Sequence, residues 1–157
     1  MKTPALALVA SLALVAWLPA AAAEPVQVQA VSIHLFLTPT GEFSEDIAAL
    51  EGFSSWNFTP AIPLRTPGRQ FHSYLIKVYL KTAKEAYVRG KIASVEVRSQ
   101  ARKRSLHAST VSNLYFPAEG ETVIARLIEG HVCEPVTILV STATSRVTKN
   151  IDFQCGE

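Results

Sequence analysis

Four histidines have the widest chemical range of any side chains in this chain, because imidazole can bind a metal or transfer protons near neutral pH. They are His34, His72, His107 and His131. No two have the HxH or HxxxH spacing of a metal-binding pair, although His34 and His72 lie on different predicted strands that could bring them together. We expect each to be a polar or half-buried strand residue. A small metal-binding protein or hydrolase that uses His34, His72 or His131 with a nearby carboxylate is kept as an alternative function.

Cys133 and Cys155 are the only cysteines, and an even number in an exported domain favours a disulfide. A thiolate metal site with His131, two residues before Cys133, is the competing interpretation. The CxxC pair typical of zinc sites is absent, so we expect neither a metal nor another cofactor.

The short motifs of common catalytic sites are also absent. The sequence contains no GxSxG, SxxK or GxGxxG motif and no phosphate-binding P-loop. Two carboxylate pairs, Glu45 with Asp46 and Glu119 with Glu121, flank predicted loops, where such pairs are usually solvated rather than catalytic. The sequence therefore favours a protein that is not an enzyme.

Residues 52–69 form the most unusual segment, because they carry aromatic residues and two arginines in a long connection with three prolines. With the short segment before it, the connection between two confident strands spans about 30 residues, and connections of that length are often functional. Aromatic and arginine side chains are favoured at contact surfaces. We therefore predict a ligand- or partner-binding surface on this segment, formed by Trp56, Phe58, Arg65 and Arg69. In the alternative, Phe53, Trp56 and Phe58 fold inward and close one end of the domain.

The first 23 residues have the order of a secretory signal peptide. Lys2 precedes an apolar run, and Ala20 to Ala23 provide small residues at the cleavage site. We expect residues 24–157 to be a single domain of a bacterial protein that is periplasmic or secreted. Nothing after residue 24 approaches the roughly 20 apolar residues of a transmembrane helix.

The charge balance argues against nucleic acid as a partner. The chain has 15 basic and 13 acidic side chains, whereas nucleic-acid-binding domains usually carry a strong basic excess. Residues 98–104 form the one dense basic cluster. We interpret it as a solvated hairpin tip, with a contact to an anionic lipid or glycan as the alternative.

Alternation of apolar and polar residues predicts about seven strands. The segments are 26–37, 70–81, 91–99, 105–116, 122–128 and the two strands of a terminal hairpin around residues 136–153. Residues 44–51 are expected to form one or two turns of helix, with Ser44 as N-cap. The series predicts an antiparallel β-sandwich, which resembles the immunoglobulin fold in strand count alone, since the cysteine and tryptophan spacing of antibody domains is missing.

Two details of these strands are specific enough to test. The apolar face of the first strand changes parity near Ala30, which predicts a β-bulge or a strand that changes sheets. In the terminal hairpin, a turn between Ala143 and Thr144 sets Val140 opposite Val147 and predicts that the cysteines join its open end.

The sequence therefore predicts an exported, non-enzymatic β-sandwich that binds an envelope protein, peptide or glycan through the 52–69 segment. A further alternative is a structural envelope subunit that assembles through an exposed edge strand.

Overall fold

The computed structural model describes residues 25–56, 59–60, 70–130 and 134–154. They form ten strands and one short 3-10 helix. The strands are β1 (Gln27–Leu37), β2 (Glu42–Phe43), β3 (Ser54–Trp56), β4 (Thr59–Pro60), β5 (Phe71–Lys81), β6 (Ala86–Ser99), β7 (Ser105–Phe116), β8 (Glu121–Glu129), β9 (Val136–Thr142) and β10 (Arg146–Gln154). The seven strands of seven residues or more correspond to the seven predicted ones, although β6 begins at Ala86 instead of Lys91, and three short strands add to them.

The strands form two sheets. One has the order β2-β1-β5-β8 and the other the order β4-β3-β10-β9-β6-β7. Every strand pair among the described residues is antiparallel except β3 with β10, which run parallel over three residues. The prediction of an all-β, largely antiparallel sandwich is thus confirmed at the level of its architecture.

The core lies between the sheets and is built mainly by alternation of buried and outward side chains along the long strands, interrupted at bulges. Tyr74, Ile76, Val78 and Leu80 of β5 are buried. Ala93, Val95 and Val97 of β6 are fully buried on the facing side. Side chains of a strand point to opposite sides in turn, so each strand gives one apolar row to the core.

The predicted irregularity in β1 is a β-bulge. The register between β1 and β5 shifts between Val28 and Ala30, and the strand stays paired with β5 on both sides of the shift. The extra residue at Gln29 explains why Val28 and Val31 are both buried although their sequence positions differ in parity.

The terminal hairpin has the predicted register. Val147 lies opposite Val140, and Ile151 lies opposite Val136. The short cross-strand distance lets these pairs pack together on the core side. Cys133 and Cys155 lie outside the described residues, so the predicted bridge remains a prediction.

The segment at 44–51 contains a single 3-10 turn, Ile47–Ala49, in place of a longer helix. Its N-cap is Asp46, which accepts the Ala48 N–H (3.0 Å), so the expectation that Ser44 caps this helix was wrong. The physical reason is tertiary. Ser44 is buried, and its hydroxyl accepts the N–H of Leu35 (2.9 Å) in β1.

Candidate functional site

The predicted contact segment is only partly described. Trp56 ends β3, where its backbone pairs with Gln154, while Phe58, Arg65 and Arg69 lie outside the described residues. Phe53, at the start of the segment, is buried in the core. For this residue the structure agrees with the alternative in which the aromatic side chains of the segment fold inward. The binding role of Trp56, Phe58, Arg65 and Arg69 therefore remains a prediction.

The ends of this segment are attached to different sheets. It leaves the six-stranded sheet after Pro60 and rejoins the four-stranded sheet at the start of β5. There the carbonyl of Gln70 accepts the N–H of Thr38 (3.0 Å). The segment consequently returns to the fold beside the end of β1.

His34 makes two hydrogen bonds on the outward side of β1. Its Nδ1 lies 2.7 Å from the carbonyl oxygen of Ser44, and its Nε2 lies 2.9 Å from Oγ of Ser32. A carbonyl oxygen only accepts, so Nδ1 carries the proton and Nε2 accepts the Ser32 hydroxyl in the neutral ring. Both nitrogens are thereby occupied.

Neither of the two other described histidines lies beside His34. His72 is exposed at a register shift of β5, whereas His107 lies on the inward side of β7, opposite Val97. His131 lies outside the described residues. Within the described ranges, no group of three His, Cys, Asp or Glu residues is arranged to hold a metal ion.

The outward side of the four-stranded sheet carries an unexpected apolar surface. We call it the four-strand face and define it by Phe36, Phe43, Leu75, Tyr79, Val123 and Leu127. Phe43, Val123 and Leu127 have 42%, 53% and 47% of their surface exposed, and the other three are half-buried. Contiguous exposed apolar side chains of this kind mark interaction surfaces more often than isolated ones do.

Cross-strand pairing arranges these six side chains in three directly opposed pairs. Phe36 pairs with Phe43, and their ring centroids are 5.5 Å apart. Leu75 lies directly opposite Leu127, and Tyr79 lies directly opposite Val123. Directly opposed side chains on one sheet side have Cβ atoms about 5 Å apart, so each pair forms one continuous apolar contact.

Charges lie at the centre and at one end of the four-strand face. Lys81 and Glu121 form an ion pair (2.9 Å), and the Lys81 hydrogen bond holds the pKa of the Glu121 carboxyl below its ordinary value. Lys77 lies between Ser32 and Ala125 and forms no ion pair with a described residue. The face thus combines apolar side chains with one available ammonium group.

Sequence reasoning overlooked the four-strand face because it assigned one apolar row to each strand. In β5 the outward positions alternate between apolar Leu75 and Tyr79 and charged Lys77 and Lys81. Apolar residues at both odd and even positions of one strand indicate that both sides of the strand make contacts.

The basic cluster at 98–104 lies at the tip of the β6–β7 hairpin, as expected, because Arg98 and Ser99 end β6 and residues 100–104 form the turn. Among the described residues, no helix is long and apolar enough to cross a membrane.

Comparison of the sequence with protein families and with characterised proteins finds no match to either, so function has to be argued from the residues themselves.

Proposed function

We propose that this chain is an exported, non-enzymatic binding protein that contacts an envelope protein through the four-strand face. Five large hydrophobic side chains among the described residues are exposed, and three of them, Phe43, Val123 and Leu127, lie on this one face. Their grouping on one face is the observation that carries the proposal. Lys77 in the middle of the face suits a partner that offers an apolar surface with a carboxylate.

The 52–69 segment belongs to the same proposal. It rejoins the fold at Gln70, close to Phe36, which lies opposite Ser73. Trp56, Phe58, Arg65 and Arg69 are its proposed anchors for the same partner. Export and the Cys133–Cys155 bridge are further parts of the proposal, supported by the signal-peptide order of residues 1–23.

We also propose an immunoglobulin-like topology. When the seven long strands are counted one to seven along the chain, one sheet has the order 1-2-5 and the other the order 7-6-3-4. The third, sixth and seventh strands therefore share a sheet, as they do in immunoglobulin domains. The fourth strand, β7, is paired with the third, β6, instead of lying in the sheet of the first strand. This difference leaves β8 as the edge of the four-stranded sheet.

Site-specific photo-crosslinking in the native envelope tests the binding proposal. A photoreactive residue at Val123 or at Leu127 is expected to give a discrete adduct with another protein. The same residue at Thr148, which is exposed on β10 in the other sheet, serves as the matched control and should give none. Exchange of Phe43 for Ala should reduce the adduct from Val123 without changing the thermal midpoint.

Three results would contradict the proposal. They are equal adducts from Thr148 and Val123, no adduct from either position on the face, and an adduct of twice the monomer mass. The last result would identify a second copy of this chain as the occupant.

A second candidate function, hydrolysis, rests on the Ser32–His34 pair. A serine hydroxyl that donates to a histidine, itself oriented by a third group, is the arrangement that activates a nucleophile for acyl transfer. Lys77 lies directly opposite Ser32, where its charge can stabilise an oxyanion. Covalent labelling by a fluorophosphonate that disappears in both Ser32→Ala and His34→Gln would favour this function. An unlabelled native protein would exclude it.

Edge-strand assembly is less well supported. Arg126 lies opposite Ile76 on the inward side of the edge strand β8, and its guanidinium donates to the carbonyl of Ala125 (2.9 Å). Inward-facing charges on an edge strand are a common device against strand addition.

A further inference from the structure

The outward side of the six-stranded sheet carries two exposed tyrosines side by side. Tyr87 of β6 lies directly opposite Tyr115 of β7, and the two have 58% and 54% of their surface exposed. Their chain neighbours Ala86 and Phe116 point to the core side, where Phe116 is fully buried. The two phenol rings therefore stand out from the sheet at one end of the β6–β7 ribbon.

Polar neighbours hold both rings in place. The Tyr115 hydroxyl donates to Oε1 of Glu85 (2.7 Å), and this hydrogen bond raises the pKa of Tyr115 above its ordinary value. The guanidinium carbon of Arg89 lies 5.9 Å from the centroid of the Tyr87 ring, within cation–π range. Rings oriented in advance lose less entropy when a ligand stacks on them.

The other end of the same side is basic. Between Glu96 and Arg104 the chain carries four basic side chains and one carboxylate. Arg98 and Lys103 line an open groove of about 540 Å³ together with Gln100, Thr137, Leu139 and Asn150. Arg98 is partly neutralised by an ion pair with Glu96 (2.8 Å), which raises the pKa of Arg98 and lowers that of Glu96.

Hydrogen bonds make the basic turn rigid. The N–H of Gln100 donates to the carbonyl of Pro135 (2.9 Å), and the N–H of Arg102 donates to Oγ of Ser99 (2.9 Å). The Ser99 hydroxyl in turn donates to the buried carboxylate of Glu134. Hydrogen bonds also fix the floor of the groove, because Asn150 Oδ1 accepts from the Thr137 hydroxyl (2.9 Å) and from the Gln100 side-chain amide (3.3 Å).

Hydroxyl groups cover the ribbon between its two ends. Ser94 lies opposite Thr110, and its Oγ lies 2.8 Å from that of Ser141 on β9. The distance from Tyr87 to Arg98 along β6 is about 30 Å, from a rise of roughly 3.3 Å for each residue less the shortening at its bulges. A linear polymer can span both ends.

We propose that this side of β6, β7 and β9 binds an acidic polysaccharide, with Tyr87 and Tyr115 stacking on sugar rings and Arg98 and Lys103 contacting carboxylates. The electron-rich ring face attracts the C–H bonds of a pyranose, and hydroxyl and amide groups suit its hydroxyls. An apolar partner would find little contact here, because the strip between the ends is polar. The turn 100–104 also lacks the large apolar residues that insert into a membrane. The inference goes beyond the proposed function, which concerns the opposite sheet.

Calorimetric titration with three probes tests it. The probes are a hexamer of galacturonic acid, the neutral hexamer of glucose, and vesicles of phosphatidylglycerol. We expect the galacturonate hexamer to bind more tightly than the neutral hexamer, with an affinity that falls as salt rises. No binding of the galacturonate hexamer, equal affinity for both sugars, or binding to vesicles alone would overturn the proposal.

Variants separate the two contributions. Exchange of both Tyr87 and Tyr115 for Ala should weaken binding roughly tenfold, or about 1.4 kcal/mol. Exchange of both for Phe keeps the rings and removes only the hydrogen bond to Glu85, so it should weaken binding less. Glu96→Gln releases Arg98 and should tighten binding roughly threefold. Unchanged affinity in the alanine pair, or weaker binding in Glu96→Gln, contradicts the assignment. Thr38→Ala, at an exposed position after β1 in the other sheet, is the control outside this strip.

Discussion

The carbonyl oxygen of Gly120 accepts a hydrogen bond from the N–H of Thr82 (2.8 Å), while the Thr82 hydroxyl donates to the carbonyl of Lys84 (2.8 Å) and lies 3.3 Å from the Gly120 oxygen. Thr82 follows β5 and Gly120 precedes β8, so this contact joins the two strands where their pairing begins. Gly120 has φ +70°, and a Cβ added there would clash with the Thr82 carbonyl oxygen. The position requires glycine for both conformation and space.

We expect Gly120→Ala to lower the free energy of unfolding by about 3 kcal/mol, because left-handed strain and a backbone clash add together. Gly52 is the matched control, since it has φ +68° but nothing within 4 Å of an added Cβ. Gly52→Ala should cost about 1 kcal/mol. Chemical denaturation of both variants gives the comparison, and equal losses would refute the role of the Thr82 contact.

Tyr74→Phe is expected to stabilise the fold. Tyr74 is buried against Phe153, with ring centroids 5.2 Å apart, and its hydroxyl has no hydrogen-bond partner among the described residues. Removing an unsatisfied buried hydroxyl should raise the free energy of unfolding by about 1 kcal/mol. A loss of stability in urea denaturation would mean that the hydroxyl does have a partner in the native protein.

The same hydroxyl predicts a response to alkaline pH. Burial raises the pKa of Tyr74 above its ordinary value of 10.0, so the folded protein keeps this proton where the unfolded chain loses it. This difference leaves stability unchanged below pH 10 and lowers it as pH rises above 10. Denaturation at a series of alkaline pH values should show a steeper loss for the native protein than for Tyr74→Phe. Parallel curves would contradict the shift.

Ser44→Ala should destabilise the fold by about 2 kcal/mol, because it leaves the N–H of Leu35 buried without an acceptor. Ser105 is the control, since its exposed hydroxyl makes a 3.3 Å hydrogen bond to the carbonyl of His107. Its replacement by Ala should change the thermal midpoint little. Similar shifts for both variants would show that the buried contact contributes nothing.

The proposed Cys133–Cys155 bridge predicts that the exported protein is lighter by two hydrogen atoms than the reduced chain. The closed loop of about 20 residues corresponds to roughly 3 kcal/mol in the chain-entropy estimate. Reduction, or exchange of both cysteines for Ser, should therefore lower the thermal midpoint. Two thiols that react freely in the native protein would disprove the bridge.

Local patterns were sufficient to predict much of the fold. The parity change near Ala30 is the bulge at Gln29, and the pairing of Val136 with Ile151 follows from the apolar rows of two adjacent segments. Both depend on residues close in sequence, where alternation and turn position leave few registers.

The candidate site was harder to predict because it depends on residues that are distant in sequence. Leu75 and Leu127 lie 52 positions apart and meet only because β8 returns beside β5. Tyr87 and Tyr115 likewise become neighbours only through the β6–β7 pairing. Both are exposed because the described residues leave that side of the sheet uncovered.

The sequence by itself determined which seven long segments are strands and which of their rows enter the core, since both follow from alternation within each segment. Tertiary structure alone decided the strand order, the burial of Ser44 against Leu35, and the outward surfaces that the two sheets present. These features depend on contacts between distant segments, whose free energies are not encoded in any local window of the chain.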